Sequence, residues 1–150
     1  GYYGIWATCR KRSDEEVLKL IKEGMPYVIR LKSHGNFDTK IVFTDLIKGR
    51  RELSQNDQDI VIMKTDGLPT YHFAHLIDDH FMRTTHVIRG DEWLPSVSLH
   101  LQLFEIIGWN PPLYGHLMPI QKIDKGAKRK LSKRHDPEAT ISYYSEMGYP

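Results

Sequence analysis

The sequence predicts an α/β protein, and three patterns carry that expectation. Two short apolar runs, 85–90 (THVIRG) and 114–120 (YGHLMPI), flank a helical apolar stripe, which reads as a β-α-β unit. Ahead of them, short β-rich runs separated by turn residues read as a small, largely antiparallel sheet. Helix start and stop residues bracket each helical segment.

In chain order, 1–12 is aromatic and basic without a clear period. Ser13-Asp14-Glu15-Glu16 is a capping-box pattern, predicting a helix to about residue 23 with Val17, Leu18 and Ile21 inward. Gly24 and Pro26 end it. Strands are predicted over 27–32, 39–44 and 59–65, with turns at Ser33-His34-Gly35-Asn36 and Lys48-Gly49. Asp66-Gly67 breaks the pattern and is the candidate boundary between two lobes.

Pro69 suits the first position of a helix running to about residue 82. After strand 85–90, Pro95 starts a helix whose Leu94, Val97, Leu101, Phe104 and Ile107 form one apolar stripe, and Gly108 ends it. After strand 114–120 comes a basic run, Lys125 to His135, expected as a loop. Asp136-Pro137 reads as an N-cap followed by proline at the first helical position, with a last helix to about residue 147.

The 150 residues are 40% hydrophobic and 27% charged, ordinary for a globular protein. Lys plus Arg number 21 against 19 Asp plus Glu, and a net charge of +2 does not by itself argue for nucleic acid. Any basic surface is local, concentrated in 122–135. With one cysteine, Cys9, no internal disulfide forms, which fits a reducing compartment. No apolar run reaches membrane-span length and no signal-peptide pattern opens the chain. The chain begins with Gly1 rather than Met and ends as if running onward, so a piece of a longer protein is expected.

A β-α-β unit crosses over right-handed and makes both strands parallel. Both chain exits, Arg89-Gly90-Asp91-Glu92-Trp93 and the basic loop, then emerge at one carboxyl edge, where open α/β sheets bind ligands. Within the loop, KLSKR (130–134) presents two ammonium groups, a hydroxyl and a guanidinium, which suits a polyphosphate. A solvated charge run or a nuclear address is the alternative. Neither a Walker loop nor GxGxxG is present.

Arg89 can grip a carboxylate with its fork or simply end its strand in solvent. Trp93 can cover a purine or fill core. Arg89-Gly90-Asp91 spells an adhesion tripeptide with nothing else extracellular beside it. Tyr71, His75 and Asp78 share a helical face, and His72, His75 and Asp79 a neighbouring one. Imidazole and carboxylate at that spacing can chelate, but HExxH is missing, and the polar floor of the crevice is the preferred reading.

Three stretches together, 66–71 (DGLPTY), 86–94 (HVIRGDEWL) and KLSKR, resemble bacterial glutamyl-tRNA synthetases. KLSKR is similar to that family's version of the second class I signature. The strand 27–32 and the stretch 42–49 (VFTDLIKG) resemble the insertion domain that holds the tRNA acceptor end.

The resemblance implies part of the α/β acceptor-binding insertion domain over 1–65. Over 66–150 it implies the second half of a class I synthetase Rossmann-like nucleotide-binding fold. It implies an enzyme that activates glutamate with ATP, magnesium accompanying the nucleotide, and passes the glutamyl group to the 3′ end of tRNA(Glu). Tyr71, His75 and Arg89 match positions that bind L-glutamate, Arg89 pairing its side-chain carboxylate. Some relatives carry asparagine where His75 stands. Glu92 and Trp93 match positions around ATP, Trp93 near the adenosine, and Lys130, Ser132 and Lys133 the mobile catalytic loop that closes on the phosphates.

Some relatives carry a zinc knuckle in the insertion, and Cys9 with Lys11 resembles its remnant with the histidine replaced, so no zinc and no other metal site is expected. The implied enzyme is cytoplasmic and monomeric, with no membrane partner. Its first signature, His-Ile-Gly-His-like, and its anticodon-binding region have no counterpart here. The chain alone is therefore expected to be an inactive internal piece. Two other readings remain: a non-catalytic tRNA-binding module working through Lys11, Arg12, Lys48, Arg50 and Arg51, or a truncated paralogue that glutamylates a modified tRNA base.

Overall fold

The computed structural model describes residue 2 and residues 4–149, a mixture of helices and strands. Helix α1 (Asp14–Lys22) begins where the capping pattern places it. Glu16 N donates to Ser13 Oγ while Ser13 N donates to the Glu16 carboxylate. The expected inward face is not inward: Val17, Leu18 and Ile21 are 38%, 55% and 38% exposed. The helix buries no residue, so its cap and acidic first turn hold an amphipathic stripe that the described residues leave largely exposed.

The strands predicted at 27–32 and 59–65 shrink to β1 (Ile29–Arg30) and β4 (Val61–Met63), paired antiparallel. An irregularity between Ile29 and Arg30 breaks the ladder. Strand β2 (Lys40–Asp45) matches expectation and forms a hairpin with β3 (Gly49–Ser54), from Lys40 opposite Ser54 to Asp45 opposite Gly49. Sequence reading missed β3, because Gly-Arg-Arg-Glu-Leu-Ser lacks apolar alternation. Its backbone ladder orders it.

Helix α2 spans Tyr71–Phe81 with Thr70 as N-cap residue. Pro69 is not its first residue; it bridges to Met63 instead. Strand β5 (His86–Gly90), a 3-10 segment (Asp91–Ser96), α3 (Val97–Ile107) and β6 (Leu113–Leu117) make the predicted unit. The two strands pair in parallel, Arg89 opposite His116. Pro95 lies inside the 3-10 segment rather than starting α3. Gly108 closes α3 at φ 78°, a conformation open to glycine.

The predicted basic loop contains a hairpin. Strand β7 (Gln121–Asp124) pairs antiparallel with β8 (Ala127–Lys130). Lys125 and Gly126 turn it with φ 49° and 81°, the positive values a two-residue hairpin turn needs. Lys130 ends β8, and only 131–134 of the KLSKR motif is loop. Asp136 makes no N-cap bond; a 3-10 turn (Pro137–Ala139) precedes α4 (Ile141–Glu146).

The core gathers Leu31, Leu76, Leu99, Leu103 and Phe104, with Ile60, Ile62, Phe73, Ile77 and Trp109 packed against it. These come from both sides of residue 65. Phe104 is 1% exposed, and truncating it to alanine should cost about 3–5 kcal/mol. The tip of the β2–β3 hairpin docks on β6: Leu46 N donates to Tyr114 O at 2.8 Å. Ile47 covers Gly115, where an added Cβ would come 3.1 Å from Ile47 Cδ1 and 2.8 Å from Ile88 Cδ1. That close approach sets Asp45 beside His116. Among the described residues no helix is long and apolar enough to cross a membrane.

Candidate active site

Parallel pairing of β5 and β6 brings both chain exits to one edge. A cleft of about 600 Å³ opens there, lined in part by Arg89, Glu92, Leu117, Lys130, Lys133 and Glu138. Lys130 Nζ donates to Glu92 Oε1 at 2.9 Å. That bond holds the Glu92 carboxyl below its usual range. Lys133 is exposed and makes no ion pair among the described residues. Arg89, Glu92 and the two lysines thus line one cleft, whereas Asp91, the second acid expected there, is paired with Lys48.

The loop is anchored from below. Asp136 is 1% exposed. It accepts from Arg129 Nη1 and Nη2 at 2.6 and 2.7 Å and from Ser132 N at 2.9 Å. Lys122 Nζ lies 2.6 Å from Asp136 Oδ1 and 2.5 Å from Glu138 Oε1. Arg129, then Lys122, hold the Asp136 carboxyl far below the ordinary range. The cations reach Asp136 from β7 and β8, which explains why it does not cap a helix. Ser132 thus enters the site through its backbone, its N–H fixing the loop while its Oγ accepts from Arg134 N at 3.4 Å.

Arg89 leaves the end of β5 between two rings. Its guanidinium lies 5.0 Å from the Tyr114 ring centre and 5.9 Å from that of Trp93. Arg89 Nε donates to His116 Nε2 at 3.0 Å, and both terminal nitrogens lie 3.3 Å from His100 Nδ1. His116 Nδ1 contacts Asp45 Oδ2 at 2.5 Å, both side chains fully buried. On the far side, His100 Nε2 is 2.9 Å from His72 Nδ1.

Tyr71 and His75 pack against this cluster through the His100 ring. Their rings stack at 6.0 Å, and Tyr71 packs on Trp93 at 4.7 Å. His75 Nδ1 lies 2.7 Å from Asp79 Oδ2. Asp78, expected on this face, is exposed instead. Burial pushes His100 down to about 2, and the charges of His75 and Arg89 add to it. Burial also lowers His75 and His72. The helical His/Asp face named as a possible chelate is committed to other partners: His72 to His100, His75 to Asp79. Among the described residues no group of three or more His, Cys, Asp or Glu is placed to hold a metal ion.

Sequence reasoning missed His100, Tyr114, His116 and Asp45. A histidine inside an apolar strand or stripe reads as core. The only available signal was that Arg89 and His116 would be cross-strand neighbours. Trp93 turns toward Tyr71 and is not among the residues lining the cleft that holds Lys130 and Lys133.

A parallel β-α-β unit whose carboxyl edge carries an arginine pocket beside a cation-lined cleft is the layout of an α/β ligand-binding domain. Residues 5–150 match the family model for the catalytic domain of class I tRNA synthetases (E and Q), and the chain belongs to that family. It is 57% identical to a glutamate–tRNA ligase of Clostridium perfringens, over all of this chain and 28% of that protein. The ligase of Clostridium beijerinckii is 56% identical over 27% of its length. A crystal structure of glutamate-tRNA synthetase from Elizabethkingia anophelis superposes with TM-score 0.71 and 43% identity, over 97% of this chain and 28% of that one. A glutamate tRNA ligase from Elizabethkingia meningosepticum, solved in complex with its amino acid, matches at 0.71 and 42%, over the same 97% and 28%. The chain thus spans a little over a quarter of the length of these relatives.

Proposed function

We propose that this chain supplies the amino-acid pocket and the phosphate-binding loop of a glutamate–tRNA ligase. The carrying observation is the meeting at one sheet edge of two groups of side chains: Arg89 among Tyr114, Trp93 and His100, and the cleft-lining Lys130 and Lys133. The first suits a dicarboxylic amino acid and the second a triphosphate. Relatives named as glutamate–tRNA ligases over the whole chain support the same substrates.

In this reading Arg89 takes the side-chain carboxylate of glutamate, with Tyr71 and His75 closing the pocket. Trp93, packed on Tyr71, walls it toward the nucleotide, and Glu92 stands at the ATP side. The glutamate α-carboxylate attacks the α-phosphorus of ATP and pyrophosphate leaves. A tRNA(Glu) terminal ribose hydroxyl then attacks the adenylate carbonyl, giving glutamyl-tRNA and AMP. Neither step demands a protein base, so positioning and charge neutralisation carry the acceleration. Lys130 and Lys133 meet negative charge that grows on the leaving pyrophosphate. Ser132 holds the loop's course.

Magnesium would accompany the nucleotide as its counter-ion. Glu92 and Glu138 line the cleft but are paired with Lys130 and Lys122, so the ion would be held by the nucleotide phosphates and water. Residues 66–150 serve as the second half of the Rossmann-like fold and 1–65 as part of the acceptor-stem-binding insertion domain.

The test is glutamate-dependent ATP–pyrophosphate exchange in a full-length ligase whose catalytic segment is this chain. Arg89→Lys should raise the KM for glutamate by about tenfold or more, since Lys cannot grip a carboxylate with a planar fork. An unchanged KM would defeat the assignment.

A further inference from the structure

Arg89 is held by a buried chain that begins outside the β-α-β unit. Asp45 ends β2 at the tip of the β2–β3 hairpin. Its Oδ1 accepts three backbone N–H groups: Ile47 at 2.9 Å, Lys48 at 2.8 Å and His116 at 3.2 Å. Its Oδ2 faces His116 Nδ1 at 2.5 Å. His116 Nε2 faces Arg89 Nε at 3.0 Å.

The proton positions follow from what each atom can do. Arg89 Nε–H only donates, so His116 Nε2 must present its lone pair. The ring is then neutral with its proton on Nδ1, where only an acceptor such as Asp45 Oδ2 satisfies it. One carboxylate therefore fixes the tautomer that fixes the guanidinium.

We infer that Asp45 and His116 are positioning residues for Arg89, so that the β2–β3 hairpin is part of the amino-acid site. This rests on the assignment of Arg89 to the glutamate carboxylate. With Nε engaged, the terminal fork is the part of Arg89 left to meet a ligand. It faces His100 Nδ1 and, at a long 3.5 Å, the Trp93 carbonyl oxygen, both neutral acceptors. A carboxylate offers that fork two charged oxygens and is the better partner. The hairpin tip thus orients a recognition group without touching the ligand. Lys48 of the same tip reaches Asp91 at 3.2 Å, tying the exit of β5 to the hairpin a second time.

Asp45→Asn tests the tautomer directly. The three N–H groups require the amide oxygen on their side, which leaves the amide nitrogen facing His116 Nδ1. That donor forces the His116 proton onto Nε2, against Arg89 Nε–H. His116→Asn keeps a group at the Nδ1 position and loses the Arg89 acceptor. His116→Gln places its amide oxygen near Nε2 and keeps that acceptor.

The readout is pyrophosphate exchange in a full-length ligase carrying this chain. Asp45→Asn and His116→Asn should raise the glutamate KM by about tenfold or more, the scale of a hydrogen bond to a charged group. The ATP KM should stay within about twofold on the same scale, and His116→Gln should recover most of the loss. In an Arg89→Lys background, which lacks the Nε–H, His116→Asn should add nothing. If Arg89→Lys raises the glutamate KM while Asp45→Asn and His116→Asn do not, the positioning role is wrong and the pocket assignment stands. If Arg89→Lys itself has no effect, the pocket assignment fails first. Equal rises in both KM values, or no recovery with His116→Gln, would reduce the pair to a structural contact and overturn the inference.

Discussion

The ammonium of Lys130 lies 2.9 Å from the carboxylate of Glu92, joining the end of β8 to the turn that leaves β5. Both side chains are more than half exposed, at 59% and 52%, so the pair is weak and easily exchanged. A triphosphate offers Lys130 more negative charge than one carboxylate. Glu92→Gln removes the competitor, and the KM for ATP in a full-length ligase should fall by no more than about threefold. A marked rise would instead assign Glu92 a contact with the nucleotide.

Lys133 projects from the same loop and makes no ion pair among the described residues. Lys133→Ala should lower kcat for pyrophosphate exchange by about a hundredfold or more, the scale set by removing one preorganised charge-stabilising donor. The glutamate KM should change little. Steady-state kinetics decide it, and an unchanged kcat rejects the role.

Asp136 anchors the loop with a carboxyl held far below its ordinary 3.8. A carboxyl lowered by folding adds stability that is complete above the ordinary value. That stability is lost only as pH falls through the folded value. Protection of amides in 129–136, relative to their intrinsic exchange rate, should therefore hold steady from neutral pH down to the ordinary carboxyl range. Asp136→Asn should speed exchange there from neutral pH down to the ordinary carboxyl range, because Arg129 and Lys122 lose their shared anion. Exchange unchanged by that substitution would show another anchor.

His100 carries the same sign in a higher pH window. Folding lowers it from 6.5 to about 2, so the unfolded chain takes up the proton first. Its contribution is complete above about 6.5 and drains away as pH falls below that. A single such group costs up to about 1.4 kcal/mol per pH unit in this window. The thermal midpoint of the chain should drop between pH 7 and pH 5, and His100→Gln should flatten that slope. A slope identical in the variant would remove His100 as its source.

The β5–α3–β6 unit was legible because both of its periods are written in apolar side chains. Strands β3, β7 and β8 were not, since backbone ladders and turn conformations order them and Arg, Lys and Glu dominate their faces. The stripe on α1 was legible as a stripe, but periodicity says nothing about whether anything covers it. The meeting of Arg89, Glu92, Lys130 and Lys133 followed from parallel topology alone. The histidines beside Arg89 did not, because only cross-strand register turns His116 from a core residue into an acceptor. Asp136 looked like a cap because Asp-Pro is the sequence of one. Arg129 and Lys122 outcompete helix N–H groups there, and nothing local announces them.

Leu31, Ile60 and Ile62 share an oily interior with Leu76, Leu103 and Phe104. A protease cut in the turn at Asp66-Gly67 would therefore leave two pieces still clasped together. They should melt as one cooperative body, because neither half keeps a complete apolar centre when the other departs.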